Sequence, residues 1–271
     1  MTERLPSKGS LFILTMMTRL HFLDPNPGGS PAVLLLHGLG ANGSMWTLQF
    51  DDLIAAGYRP LAPDAPGFGD SPYDGRGWNF RRVAADLAAL LRELQTGPAH
   101  VVGLSMGGVI AQQFALDYPD LVRTLVLVST FAVLRPSSLS QWLYFFQRLV
   151  VVHLVGLEQQ SKIVARRVFP TPGQESLQEM AAAQIARADP RAYRAAMRHL
   201  GLFDSRRRLG EIRIPTLVIT GERDTTVSPA RQKMLAEGIP GARQVVLADG
   251  GHAVAIDQAE AFNRALLEFL G

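Results

Sequence analysis

Residues 98–118, Pro-Ala-His-Val-Val-Gly-Leu-Ser-Met-Gly-Gly-Val-Ile-Ala-Gln-Gln-Phe-Ala-Leu-Asp-Tyr, constrain this chain more than any other stretch. Ala99 to Leu104 is short, apolar and β-branched, the composition of a buried strand. Val109 to Tyr118 carries helical periodicity and stops at Pro119. Between them lies Gly103-Leu104-Ser105-Met106-Gly107, a G-x-S-x-G on a strand-to-helix turn. A turn that sharp forces strained backbone angles on the central serine, and Gly103 and Gly107 lack the Cβ atoms that would keep strand and helix apart. The serine hydroxyl is pushed out at the carboxyl end of a sheet, with a helix N-terminus behind it. A bare G-x-S-x-G arises by chance in roughly one chain in ten of this size. The flanking strand and helix are what make Ser105 a candidate nucleophile.

A nucleophilic serine needs a base, an acid to orient that base, and donors for the negative oxygen. The sequence offers each at the end of a strand. Pro31 to Leu36 is a continuous apolar run, as expected of a strand buried on both faces, and it ends in His37-Gly38-Leu39-Gly40. There the backbone amide of Leu39 is the candidate partner of the Met106 amide in an oxyanion hole. His37 reads as a packing residue rather than a base. Ile214 to Thr220 is a strand ending in Gly221-Glu222-Arg223-Asp224, so Asp224 is the candidate acid. Glu222 and Arg223 read as turn-setting residues. Ala242 to Leu247 is the last strand, and Gly250-Gly251-His252 follows it, so His252 is the candidate base. Asp64 and Asp249 are rival acids: Asp64 fits better as the anchor of its own loop, and Asp249 lies too near His252 in the chain. His100, His153 and His199 have no comparable context.

Between residues 131 and 208 the alternation of strand and helix stops. Helix-like segments near 138–156, 158–168, 174–187 and 190–203 are punctuated by Pro136, Pro170, Pro172 and Pro190. An all-helical insertion between strands reads as a cap over the strand ends. Trp142, Phe145 and Phe146 fall on one helical face there and, with Trp46, are candidate pocket residues, although such residues also serve as plain core. Arg206-Arg207-Arg208 reads as a solvated turn.

Composition narrows the alternatives. The 271 residues include no cysteine, which removes disulfides, thiol catalysis and cysteine metal sites. Net charge is +3, with no basic patch interleaved with aromatics, so nucleic acid is not indicated. No apolar run approaches a membrane span. The expected setting is cytoplasmic. Residues 1–17 read as a disordered leader, with Met16 or Met17 as the functional start.

Together, His37-Gly38-Leu39-Gly40, Asp64-Ala65-Pro66-Gly67-Phe68-Gly69-Asp70-Ser71, Gly103-Leu104-Ser105-Met106-Gly107-Gly108, Gly221-Glu222-Arg223-Asp224 and Gly251-His252 resemble the α/β-hydrolase superfamily. Within it the chain resembles small, cap-bearing esterases, lactonases and carbon–carbon bond hydrolases. The resemblance implies an α/β fold with a mostly parallel, eight-stranded sheet, helices on both faces, a core of residues 18–130 and 209–271, and a cap of residues 131–208. It implies a Ser105–Asp224–His252 triad acting on a small-molecule ester, lactone or thioester with water, in a monomer or homodimer, with no metal or organic cofactor. Three alternatives stay open: cleavage of a carbon–carbon bond in a vinylogous diketone, a ligand sensor that retains the triad, and a cofactor-free lyase or perhydrolase. The dehalogenase and epoxide hydrolase branches carry aspartate where this chain has Ser105, and the aromatic, Trp-bearing elbow of proline iminopeptidases is absent.

Overall fold

The computed structural model describes residues 20–134 and 150–271, together with residues 139, 143, 146 and 147. Seven strands form one sheet: β1 (Phe22–Leu23), β2 (Ala32–Leu36), β3 (Arg59–Pro63), β4 (Ala99–Leu104), β5 (Val122–Val128), β6 (Thr216–Gly221) and β7 (Arg243–Leu247). Their spatial order is β1-β3-β2-β4-β5-β6-β7. Among the described residues only β1 runs antiparallel, pairing Phe22 with Pro63 at the edge; their other strand neighbours are parallel. The expected eight strands are therefore seven among the described residues, because before β2 only the two-residue β1 pairs into the sheet.

Parallel strands need crossovers, and these cover both faces. One face packs under α2 (Phe80–Glu93), α3 (Met106–Asp117) and α7 (Pro229–Gly238). The other packs under α1 (Thr47–Ala55) and α8 (Ala259–Leu270). Alternation along each strand divides the side chains between the two cores. In β4, Ala99 and Val101 join the first, and Val102 and Leu104 the second. All five residues of β2 and all six of β4 are buried, which is why both read as unbroken apolar runs. In α3, ten of twelve residues are buried, so it is the central helix rather than an amphipathic surface one.

Between β5 and β6 the chain forms α4 (Leu157–Val168), α5 (Glu175–Ala186) and α6 (Pro190–Leu202). These helices dock onto the loops that leave the carboxyl ends of β2 and β3. Gln184 Nε2 donates to Asn42 Oδ1 at 2.7 Å. The Asp189 N–H donates to Gly67 O at 2.8 Å. A Cβ on Gly67 would lie 2.3 Å from that of Ala192, so only glycine lets α6 approach this loop. Trp142 and Phe145 lie outside the described residues, as does the segment 1–17.

Candidate active site

Ser105 sits between β4 and α3 with φ 55° and ψ −110°, a conformation that L side chains rarely adopt and that costs about 1–3 kcal/mol. The surroundings hold it there. The Ser105 N–H donates to Val128 O at 2.9 Å, and Thr130 Oγ1 donates to Ser105 O at 2.7 Å. A Cβ on Gly103 would lie 2.2 Å from Gly107 O, and one on Gly107 would lie 2.0 Å from Leu36 O. The two flanking glycines therefore let helix, elbow and the neighbouring strand close on one another.

Asp224 and His252 come from the ends of β6 and β7. The His252 Nδ1–H donates to Asp224 Oδ2 at 3.0 Å, and both side chains are almost fully buried. Asp224 is itself held: Oδ1 accepts the N–H groups of Thr226 and Val227, each at 2.8 Å, and Oδ2 also accepts Gln232 Nε2 at 3.0 Å. A carboxylate with three donors besides the imidazole is locked in orientation. With its proton on Nδ1, the imidazole keeps its Nε2 lone pair for chemistry. Close packing brings the two loops together, since a Cβ on Gly221 would lie 2.2 Å from Gly251 O.

The Met106 N–H opens α3 and has no intrahelical acceptor. The Leu39 N–H lies in the loop after β2, and a Cβ on Gly38 beside it would lie 3.3 Å from Leu104 Cδ2 and 3.8 Å from Ser105 Cβ. His37 organises this loop. Its Nε2 accepts the Ala65 N–H at 2.9 Å, so its Nδ1 carries the proton and donates to Gly38 O at 2.8 Å. Burial holds the His37 pKa below its usual range, which keeps the ring neutral.

A cavity of about 300 Å³ contains Leu39, Ser105 and His252 in its wall. Core residues such as Phe131 and Ile256 and helical residues from α4 and α5, among them Val164, Val168 and Ile185, complete a mainly apolar lining. Its size and character suit a small organic molecule.

The rival acids are committed elsewhere. Asp64 accepts from Gly43 N at 2.7 Å and Asp70 N at 2.9 Å, and pairs with His21 Nδ1 at 2.8 Å. Asp249 is exposed and forms an ion pair with Arg223. Two pocket candidates need correction. Trp46 is fully buried against Phe262, with ring centroids 6.0 Å apart, in the core on the far side of the sheet from α3. Phe146 is 65% exposed and contributes nothing to the cavity wall. Periodicity places a residue on a face but does not say what that face meets. Thr130, Gln232 and Arg231, which also lines the cavity, went unrecognised in the sequence, since no local spacing marks them.

This fold, in which a histidine paired with a buried acid lines one cavity together with a strained serine, is that of an alpha/beta hydrolase. The chain belongs to the alpha/beta hydrolase family, whose sequence pattern matches residues 33–265. It is 33% identical to the "Putative carbamate hydrolase RutD" of Variovorax paradoxus, over 93% of this chain and 96% of that protein. It is 31% identical to the 2-hydroxy-6-oxononadienedioate/2-hydroxy-6-oxononatrienedioate hydrolase of Cupriavidus pinatubonensis, over 93% and 91% of the two chains. Among solved structures, the thermophilic esterase of Thermogutta terrifontis, in a malate-bound form, superposes with a TM-score of 0.82 at 30% identity, covering 93% of this chain and 92% of that one. The chain is thus a hydrolase, and among its described residues no helix is long and apolar enough to cross a membrane.

Proposed function

We propose that this hydrolase cleaves a carboxylic ester, lactone or thioester of small to medium size through an acyl-serine intermediate. The observation that carries this reading is the buried Asp224–His252 pair at 3.0 Å, joined to a cavity whose wall also holds the strained Ser105. His252 Nε2 takes the Ser105 proton as Oγ attacks the acyl carbon. Asp224 keeps the imidazole in the required tautomer and stabilises the imidazolium. The Leu39 and Met106 amides receive the developing oxyanion. His252 then protonates the leaving group; in the second half water, deprotonated by His252, attacks the acyl carbon, the acyl–oxygen bond to Ser105 breaks, and His252 returns the proton to Ser105 Oγ. The helices α4 to α6 serve as a cap that closes the apolar cavity over the acyl group.

The experiment is a burst-phase assay with p-nitrophenyl esters from acetate to octanoate, with Ser105→Ala in parallel. A stoichiometric burst in the wild type, absent from the variant, supports the acyl-serine. Ester turnover by Ser105→Ala at the wild-type rate overturns it.

A second reading rests on the 31% identity to the Cupriavidus pinatubonensis hydrolase. In it the same residues act on a carbon–carbon bond of a vinylogous diketone after ketonisation. An inert ester panel together with turnover of such a diketone favours it over the first.

A further inference from the structure

Asp257 ends the four-residue helix Val254–Asp257 that follows His252 in the chain, and no step described above uses it. Its Oδ2 accepts the Gly251 N–H at 2.9 Å, so the carboxylate is tied to the backbone one residue before His252. The approach is close, since a Cβ on Gly251 would lie 2.7 Å from that oxygen. Its Oδ1 is shut off from solvent and has no hydrogen-bond partner. A carboxylate oxygen is costly to bury without a donor, and a native group left in that state calls for a reason. Burial raises the Asp257 pKa; the Gly251 N–H and the charge of His252 draw it back down, Asp224 pushes it up, and its own backbone N–H lowers it slightly. Among the described residues, His252 and Asp224 are thus the charged groups that act on it. Asp257 lies within electrostatic reach of both members of the buried acid–histidine pair.

We propose that Asp257 is a second carboxylate acting on His252, a positioning residue whose charge favours the imidazolium that forms when His252 takes the Ser105 proton. This rests on the acyl-serine reading above, in which His252 is the base, and adds a residue to it. In the resting enzyme the Asp257 carboxylate has one fixed donor, the Gly251 N–H, and a neutral imidazole within reach of its field. When the ring turns cationic, the same carboxylate gains an attraction that its low-dielectric surroundings weaken little. An interaction made only once charge has developed lowers the barrier rather than tightening substrate binding, so it is expressed in kcat. Asp224 has a different task. It accepts the Nδ1–H and fixes the tautomer, whereas the hydrogen bond of the Asp257 carboxylate goes to the backbone and its effect on the ring is carried through space.

The test separates charge from hydrogen bonding. Asp257→Asn keeps an oxygen that can accept the Gly251 N–H and removes the charge. The acid limb of the kcat/KM profile for one p-nitrophenyl ester reports protonation of the base. Losing a nearby anion makes the imidazole harder to protonate, so the limb is expected to move to lower pH by about half a unit or more. On the plateau kcat should fall by about threefold or more, the factor that half a unit represents, with KM little changed. Asp257→Glu, which keeps the charge on a longer arm, should return the limb towards its wild-type position. Histidine-selective NMR in a Ser105→Ala background gives the same reading without substrate: the His252 titration midpoint should fall by a like amount on Asp257→Asn. A limb and midpoint unmoved in Asp257→Asn overturn the proposal even where Tm and kcat drop, because that combination assigns Asp257 to loop structure alone. A limb displaced by Asp257→Glu also overturns it, and this variant decides the matter should Asp257→Asn not fold. An inert ester panel overturns the acyl-serine reading instead, and the NMR midpoint then decides the role of Asp257 by itself.

Discussion

Nδ1 of His37 donates to the carbonyl oxygen of Gly38 at 2.8 Å, and that carbonyl belongs to the same peptide plane as the Leu39 N–H. In a trans peptide the two groups point in opposite directions, so pinning the carbonyl also aims the amide. His37 is thereby a positioning residue for a proposed oxyanion donor. His37→Gln is expected to lower kcat about tenfold with KM little changed, since the donor acts on charge that develops only in the transition state. Steady-state kinetics on a single ester reads the split. A rise in KM at constant kcat would instead place His37 in ground-state binding.

The strain at Ser105 yields a prediction of opposite sign for stability and activity. Glycine adopts φ 55° without steric penalty, so Ser105→Gly is expected to abolish turnover while raising stability by about 1 kcal/mol, the strain relieved less glycine's larger unfolded-state entropy. For a chain of this size that is a Tm increase of about 2–4 °C. Ser105→Ala retains the strained backbone and should show no such increase. Thermal unfolding of the two variants side by side separates them.

The two aspartates of the β6 and β7 loops make a matched control. Asp224 accepts the His252 Nδ1–H, whereas Asp249 pairs with Arg223 at the surface. Asp224→Asn reverses the tautomer preference of the imidazole and is expected to lower kcat by about 10⁴. Asp249→Asn should stay within a few-fold of the wild type. The reverse ranking of the two rates refutes the assigned acid.

His100, buried in β4 with Nδ1 2.8 Å from Thr124 Oγ1, has its pKa lowered from 6.5 to about 4 by desolvation, helped by the charge of Arg123. Its native state favours the neutral ring, so its contribution to stability is complete above pH 6.5. That contribution is lost as pH falls towards 4, where the unfolded chain binds a proton that the folded one refuses. The loss is at most about 3 kcal/mol. His37, lowered in the same direction by burial, adds to it. Denaturant melts between pH 7 and 4 should show a decline in unfolding free energy, and His100→Gln should flatten it. An unchanged decline in the variant assigns the acid sensitivity to other groups.

Much of the fold is readable because it rests on local chemistry. The apolar runs of β2 and β4 are continuous because helices cover both sheet faces, and Gly103 and Gly107 announce the elbow because a Cβ at either would overlap neighbouring backbone. Trp46 shows where this kind of reading stops. It stands one loop away from the strand end that bears Leu39, yet its ring is turned into the opposite core against Phe262. Side-chain direction at the start of a helix depends on what packs there, and that is a property of distant parts of the chain.

The sequence by itself determined the parallel sheet, the position of Ser105 at its carboxyl edge, and the order in which an acid and a histidine follow at later strand ends, since each is written in residues adjacent in the chain. Only the tertiary structure decided that Asp224 rather than Asp249 faces His252, that Thr130 and Gln232 hold the elbow and the acid in place, and that Arg167 and Arg231 meet in one cavity wall. Apart from Gln232, which lies 8 positions from Asp224, those relationships join residues 25 or more positions apart. They depend on how β5, β6 and β7 lie side by side and how the inserted helices settle on them, and packing over such separations leaves no periodic mark in the sequence.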